Sequence, residues 1–354
     1  MNKKEVEIVN AKAVRNSNIE FVRIISIFVI VLSHTVGVGG GGNLSGINTY
    51  LTVLQNSIFH AGVSVTCFMF ISGFYGIQLS APRLNKTWSV VWVCSLGSAA
   101  IMALCGGIGF GGILKAVFPV ISKKYWYASC YVFLVILSPW INRFADSLEK
   151  KDFRRFLAVS VILFYVLPTF FYFELMDDKG KGLVHMLICY LIGRYTAKYI
   201  EVPKRSQKTL WILLIAATVV TLSGNLTITL VRGKISLPFS RECSVLTLLI
   251  GVLVCLIALH GHCKNKTVNK VARYTFHIYL LNNAMIMLAR KVYTLNGASC
   301  FFMLQAVIEA LVISVACGLL AVPLDRIAVL AARMAEKGEN ASISMMQKFR
   351  AKGN

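Results

Sequence analysis

Residues 18–37 read NIEFVRIISIFVIVLSHTVG, so an arginine at 23 and a histidine at 34 stand inside a run otherwise apolar enough to cross a bilayer. A charged side chain near the bilayer centre costs roughly 2.5 kcal/mol or more, and such residues usually face a cavity or a partner. Bland roles exist for both: an arginine near the boundary can snorkel to the interface, and a histidine can serve helix packing. Their spacing favours chemistry. Eleven residues at ~100° each return to within ~20° of one face, about 16 Å apart along the axis. Arg23 and His34 therefore cannot touch, yet they line one wall. Histidine titrates near neutrality, which suits it to remove a hydroxyl proton as a general base or to carry an acyl group as a nucleophile. The residues alone do not separate these two roles.

Other polar residues in apolar runs extend the set. Gln305 and Glu309 lie at helical i, i+4 spacing in LQAVIEALVIS, with the carboxylate near mid-membrane. Glu309 could orient the histidine, help proton removal or hold a structural partner. His60 is expected at the depth of His34, where it could contact an acceptor or simply sit at the interface. Trp126 and Tyr127 are either interfacial belt aromatics or a platform for a sugar ring. Ser72 with Gly73 reads as a close helix-packing pair more readily than as a nucleophile. Asn225, Asn282 and Asn283 read as interhelical hydrogen-bonders.

These residues need helices to position them. In 354 residues, 56% are hydrophobic and 15% charged, the composition of a multi-pass membrane protein. Apolar runs of membrane-crossing length fall at about 19–38, 57–79, 88–106, 125–141, 155–173, 182–200, 209–231, 244–260, 274–294 and 300–322. The fold expected is all-α, a polytopic helical bundle of about ten transmembrane helices in one domain over 19–322. A polar N-terminal tail over 1–18 precedes it, followed directly by a full-length first span without a small-residue cleavage site. A basic tail over 323–354, read as an interfacial helix that frays, follows it. The glycine-rich segment 106–124 reads as a loop with a short interfacial or re-entrant helix. On alternate sides of this arrangement, 26 of the 37 Lys and Arg fall with the two termini, which places both termini in the cytoplasm by the positive-inside rule. The chain is expected in the cell membrane.

The formal charge of +22 is explained by that topology, since the basic residues form short clusters between spans and no stripe suited to nucleic acid. The ten cysteines lie mostly inside apolar runs, without metal-ligand or disulfide-framework spacing, and no metal site is expected. No P-loop, dinucleotide fingerprint, nucleophile elbow or zinc-protease helix occurs. A transporter using buried Arg, His and Glu for proton or substrate coupling is the competing class, although no repeat between the halves and no matched pair of broken helices is visible.

Five segments in order then resemble the acyltransferase-3 family of integral membrane acyltransferases, which act on sugars and other acceptors at bacterial membranes. They are the Arg23–His34 spacing, FMFISGFYG at 68–76, YWYASCYVFLVILSPWIN at 125–142, YLIGRY at 190–195 and YTFHIYLLN at 274–282. The similarity runs from about residue 16 to 325. Two departures stand out. The family often has glycine where His277 stands and histidine where Asn282 stands, and it often shows paired arginines where this chain has Arg83 and Lys86. Glu20 stands where an acidic residue is common and can pair with Arg23 one turn away.

The resemblance implies transfer of an acyl group, expected to be acetyl, from cytoplasmic acyl-CoA (acetyl-CoA as co-substrate) to a hydroxyl of a surface polysaccharide or its lipid-linked precursor. Succinyl or longer donors and amino-acid or drug-like acceptors stay open. In this reading His34 and Glu309 are catalytic, with an acyl-histidine as the less favoured variant. Arg23, Arg83 and Lys86 meet the donor, the latter two equally readable as ordinary positive-inside residues. His60, Ser72, Trp126 and Tyr127 are the residues expected to face substrate.

Overall fold

The computed structural model describes residues 16–40, 44–202 and 206–352, and their regular elements are all helical. Most of the expected N-terminal tail lies outside these residues. Helix α1 (Ser17–Gly40) holds Arg23 and His34. Helices α2 (Ile47–Ile58) and α3 (Ala61–Tyr75) follow, then α4 (Ala81–Leu104), the short α5 (Phe110–Val117) and α6 (Trp126–Ser147). Helix α7 (Lys150–Val161) continues through a π-helical turn at Ile162–Val166 into α8 (Leu167–Phe171). The chain ends with α9 (Leu183–Tyr199), α10 (Gln207–Arg232), α11 (Val245–His260), α12 (Lys266–Ala272), α13 (Thr275–Val292) and α14 (Phe302–Lys352).

Seven helical stretches among the described residues are long and apolar enough to cross a membrane: 17–37, 47–75, 81–104, 126–147, 150–171, 207–232 and 302–339. The three other expected spans correspond to α9, α11 and α13, of 17, 16 and 18 residues. The first two are a little short of the ~20 residues of a standard crossing, and α13 carries two asparagines and two cations. Large apolar side chains such as Trp92, Phe133, Trp140, Ile215 and Val219 are exposed on the helix exteriors, as suits a protein solvated by lipid chains.

Local sequence explains the breaks. Pro168 has no N–H to give and crowds the carbonyl four residues earlier, and the helix absorbs this as the π turn just before it. The second passage starts at Ile47, ten residues before the expected 57. Asn48, in the stretch expected to be a connection, is buried and donates to Gly297 O at 2.9 Å and Ser299 O at 2.7 Å. At the far end, α14 passes through Pro323 without ending, so the boundary expected at 322/323 is not an element boundary. Ala328 and Ala332 beyond it are buried, and so is Asp325, which joins Arg273 and stands 3.5 Å from His277 Nε2. A stretch that reads as a polar tail is thus tied to the bundle by one buried carboxylate. The segment 106–124 does contain a short helix, α5, with Phe110, Ile113 and Leu114 exposed.

Three apolar clusters form the core. One joins α1, α4, α13 and α14, a second joins α3, α6, α7 and α9, and a third lies between α1, α3 and α11. Helices α3 and α9 touch backbone to backbone: a Cβ on Gly73 would stand 1.9 Å from Tyr190 O, and one on Gly193 would stand 2.2 Å from Phe70 O. The small-residue reading of the Ser72–Gly73 pair fits this crossing. Phe68, Phe276 and Tyr279 border both of the first two clusters, and between those clusters the bundle is hollow.

Candidate active site

A cavity of about 430 Å³ occupies this gap, within the ~300–1,000 Å³ typical of small-ligand sites. From α1 it is lined by Arg23, Ile30, Ser33 and His34, and the helical wall expected from the eleven-residue spacing faces it. Ser72 and Thr87 lie towards the Arg23 end. Ala61, Glu242 and Lys181 lie towards the His34 end, where a Cβ on Gly62 would stand 3.4 Å from Glu242 Cα, and Trp126 lines the cavity from the start of α6. Tyr127, Tyr131, Phe276 and Tyr279 complete the lining. They form a continuous aromatic wall, with Tyr127 edge-on to Tyr279 at 5.5 Å between centroids and Tyr131 tilted against Phe276 at 6.1 Å.

His34 is fixed by a residue of α13. Its Nδ1 lies 2.7 Å from Asn282 Oδ1, while Asn282 Nδ2 donates to Tyr279 O at 2.6 Å and Ile278 O at 3.3 Å. The two helical carbonyls can only accept, so the amide nitrogen faces them and the amide oxygen faces the ring. The ring must then donate from Nδ1, which puts the proton there and leaves the Nε2 lone pair open. Ser33, the preceding residue, differs from many helical hydroxyls, as do Thr35 and Thr52. Ser57, Ser72, Ser160 and Ser314 all donate back to the carbonyl four residues earlier. Ser33 Oγ is buried with no partner among the described residues.

The remaining expected residues divide by access. Arg23 is 3.4 Å from Glu20 in a same-helix pair and keeps a third of its side chain exposed. Its Nε is buried without a partner among the described residues. Ser72, Trp126 and Tyr127 line the cavity, with Tyr127 buried. Arg83 and Lys86 are exposed on the first turns of α4. Neither lines the cavity, although Thr87 beside them does.

Two expectations are corrected. Glu309 does not line the cavity. It accepts from Arg290 Nη1 at 2.5 Å, and Arg290 Nη2 donates to Thr35 O at 3.2 Å. The carboxylate therefore acts on α1 one residue beyond the histidine, through an arginine in the last turn of α13. His60 is also outside the cavity. It is buried at the break between α2 and α3, beside a cleft lined by Phe21, Ile25 and Leu214 on the other side of α1.

Asn282 was read in the sequence as an interhelical hydrogen-bonder, and it bonds across helices to His34, whereas Ser33, Lys181 and Glu242 were not singled out. Asn282 had a signal: Thr275, Tyr279 and Asn282 fall at i, i+4 and i+7, a polar stripe along one helix face. Lys181 and Glu242 had none, because they come from connections whose meeting depends on the fold. Among the described residues no group of three or more His, Cys, Asp and Glu could hold a metal ion.

A multi-helix membrane protein enclosing a cavity, with an oriented histidine at one end and an arginine at the other, is the class these features define. A family profile described as an acyltransferase domain matches residues 16–325, and the chain belongs to the acyltransferase-3 family of membrane acyltransferases. No curated protein and no solved structure matches it.

Proposed function

We propose that this protein moves an acyl group, acetyl in the first instance, from cytoplasmic acyl-CoA to a hydroxyl of a cell-surface polysaccharide or its lipid-linked precursor. In this reading the chain makes ten passages of the cell membrane with both termini in the cytoplasm, which the distribution of Lys and Arg supports. The Arg23 end of the cavity then opens to the donor and the His34 end to the acceptor. The observation that carries the proposal is the 2.7 Å contact between His34 Nδ1 and Asn282 Oδ1 in a cavity shared with Arg23.

The chemistry follows from the lone pair left at Nε2. His34 Nε2 takes the proton of the acceptor hydroxyl as its oxygen bonds to the thioester carbon. The tetrahedral intermediate expels the coenzyme thiolate, which recovers the proton from the imidazolium. The products are an ester and free coenzyme A. The uncommitted Ser33 hydroxyl is the donor placed to meet the oxyanion, a contact worth most where water is excluded. Arg23 meets the anionic arm of the donor, and the roughly 16 Å between Arg23 and His34 along α1 is a stretch for the extended thiol arm. Arg83 and Lys86 lie outside the cavity and serve the nucleotide end.

The test is coenzyme A release from acetyl-CoA by the purified protein in detergent, with and without a crude extract of the source cells' surface glycans. Glycan-dependent release that disappears in His34→Ala is expected. A transporter would release none, and release that persists in His34→Ala at the wild-type rate would refute the base assignment.

A further inference from the structure

At the His34 end the cavity is lined by two charged residues from separate connections, Lys181 before α9 and Glu242 before α11. They are close without being locked together. Lys181 Nζ stands 3.8 Å from Glu242 Oε1, with half of the lysine side chain exposed and the glutamate largely covered. At that separation each group keeps hydrogen-bonding capacity for a third molecule.

The turns that carry them are held firmly. Gly180 has a φ of +82°, and a Cβ there would stand 2.4 Å from Cys243 N, so the two connections press backbone to backbone. Arg241, next to Glu242, donates to Glu174 at 2.6 Å and to Pro168 O at 2.5 Å, and its own carbonyl accepts from Thr247 Oγ1 at 2.8 Å. The backbone that carries the Glu242 carboxylate is thus fixed at the cavity edge.

Carboxylates outnumber cations at this end. Lys181 and Arg241 face Glu242, Glu174 and Asp178, the last accepting from Gly180 N at 2.8 Å and lying 4.0 Å from His185 Nε2. Nothing there gathers an excess of positive charge to hold a phosphate or carboxylate. The Arg23 end, with Arg83 and Lys86 outside it, is cationic. A carboxylate that accepts from hydroxyls, an ammonium that donates to ring and hydroxyl oxygens, and an indole in the same lining form the donor, acceptor and stacking set that a sugar ring requires.

We propose that Lys181, Glu242 and Trp126 form the acceptor subsite and that it selects neutral, hydroxyl-rich rings over anionic acceptors. This rests on the acyltransferase reading above, and names the specificity of its acceptor end.

The experiment measures coenzyme A release from acetyl-CoA by the full chain in detergent, with a panel of neutral methyl glycosides as acceptors and the matching uronic acids and sugar phosphates beside them. Neutral glycosides should stimulate release more than their anionic counterparts. Glu242→Gln should raise the glycoside KM about tenfold to a hundredfold, the loss expected for a hydrogen bond to a charged group, with the acetyl-CoA KM unchanged. Lys181→Met should do so more weakly, while Lys234→Ala, an exposed cation outside the cavity, leaves both constants alone. Preference for anionic acceptors, no stimulation by any glycoside, or wild-type glycoside KM in both cavity variants would overturn the subsite. If those variants behave as wild type while His34→Ala still abolishes release, the subsite fails and the acyltransferase reading stands. If His34→Ala also keeps full release, both fail.

Discussion

Among the described residues, His34 and Arg23 stand on the wall of the cavity, while His60 and Arg290 are covered outside it. His34 lines the cavity with its Nδ1 bonded to Asn282, whereas His60 is buried in a helix break with neither ring nitrogen partnered among the described residues. Arg23 has a 3.4 Å contact to a glutamate on its own helix and faces the cavity, whereas Arg290 is closed at 2.5 Å onto Glu309 of a neighbouring helix. Residue type is the same in each pair, and so is location within apolar sequence. What separates them is access to space and the origin of the partner. A loose, local ion pair leaves its cation available to a ligand. A tight pair between helices commits both charges to the scaffold.

The sharpest way to break this comparison is at the histidines. His34→Ala should lower turnover by ~10²–10⁴, the range of a general base, while His60→Ala leaves steady-state turnover within a factor of about three. Equal losses in both would remove the distinction. The next effect is on stability. Glu309→Leu strands a buried guanidinium and should cost about 3–5 kcal/mol, with the double variant Arg290→Met/Glu309→Leu recovering much of it, as read by thermal unfolding in detergent. A loss of activity in the double variant at restored stability would show that the Thr35 carbonyl contact also holds His34 in register.

Asn282→Leu should reduce kcat by about tenfold to a hundredfold without changing donor KM, since it removes the group that fixes the ring's proton. Asn282→Asp retains an acceptor and should recover part of the loss. Arg23→Gln should raise the acetyl-CoA KM about tenfold, because one charge-assisted contact to the donor is lost, and should lower the unfolding temperature slightly, because the buried Glu20 loses that ion pair.

The smallest effect concerns Lys124, in the connection before α6, where burial lowers the ammonium pKa to about 8. Its Nζ donates to Ser95 O at 3.1 Å and Ser95 Oγ at 3.0 Å. The unfolded chain binds this proton more tightly than the folded one, so stability should rise as pH increases from about 8 towards ~10.5. The rise should be reduced in Lys124→Met when unfolding temperatures are compared over that window.

Much of the chemistry was legible because it sits on one helix. The eleven-residue spacing of Arg23 and His34 fixes a common face wherever the helix packs, and Gly73 announces a close crossing because no other residue would fit it. Trp126 and Tyr127 were also visible, though as either belt or platform. The errors have one form. Glu309 and His60 were expected on the cavity wall and lie outside it, since position along a helix follows from sequence and facing follows from the neighbours. Asn48 and Asp325 looked like loop and tail residues because a buried polar group is recognisable only once its partner is known.

The sequence by itself thus determined the membrane class, the family and the one-helix wall, all of which depend on composition and on the fixed rotation per residue of an α-helix. Only the tertiary structure decided that Asn282 orients His34, that Arg290 takes Glu309 away from the cavity, and that Lys181 and Glu242 meet at its mouth. Each of these contacts joins residues on different elements, and helical periodicity carries no information about which faces of different helices come together.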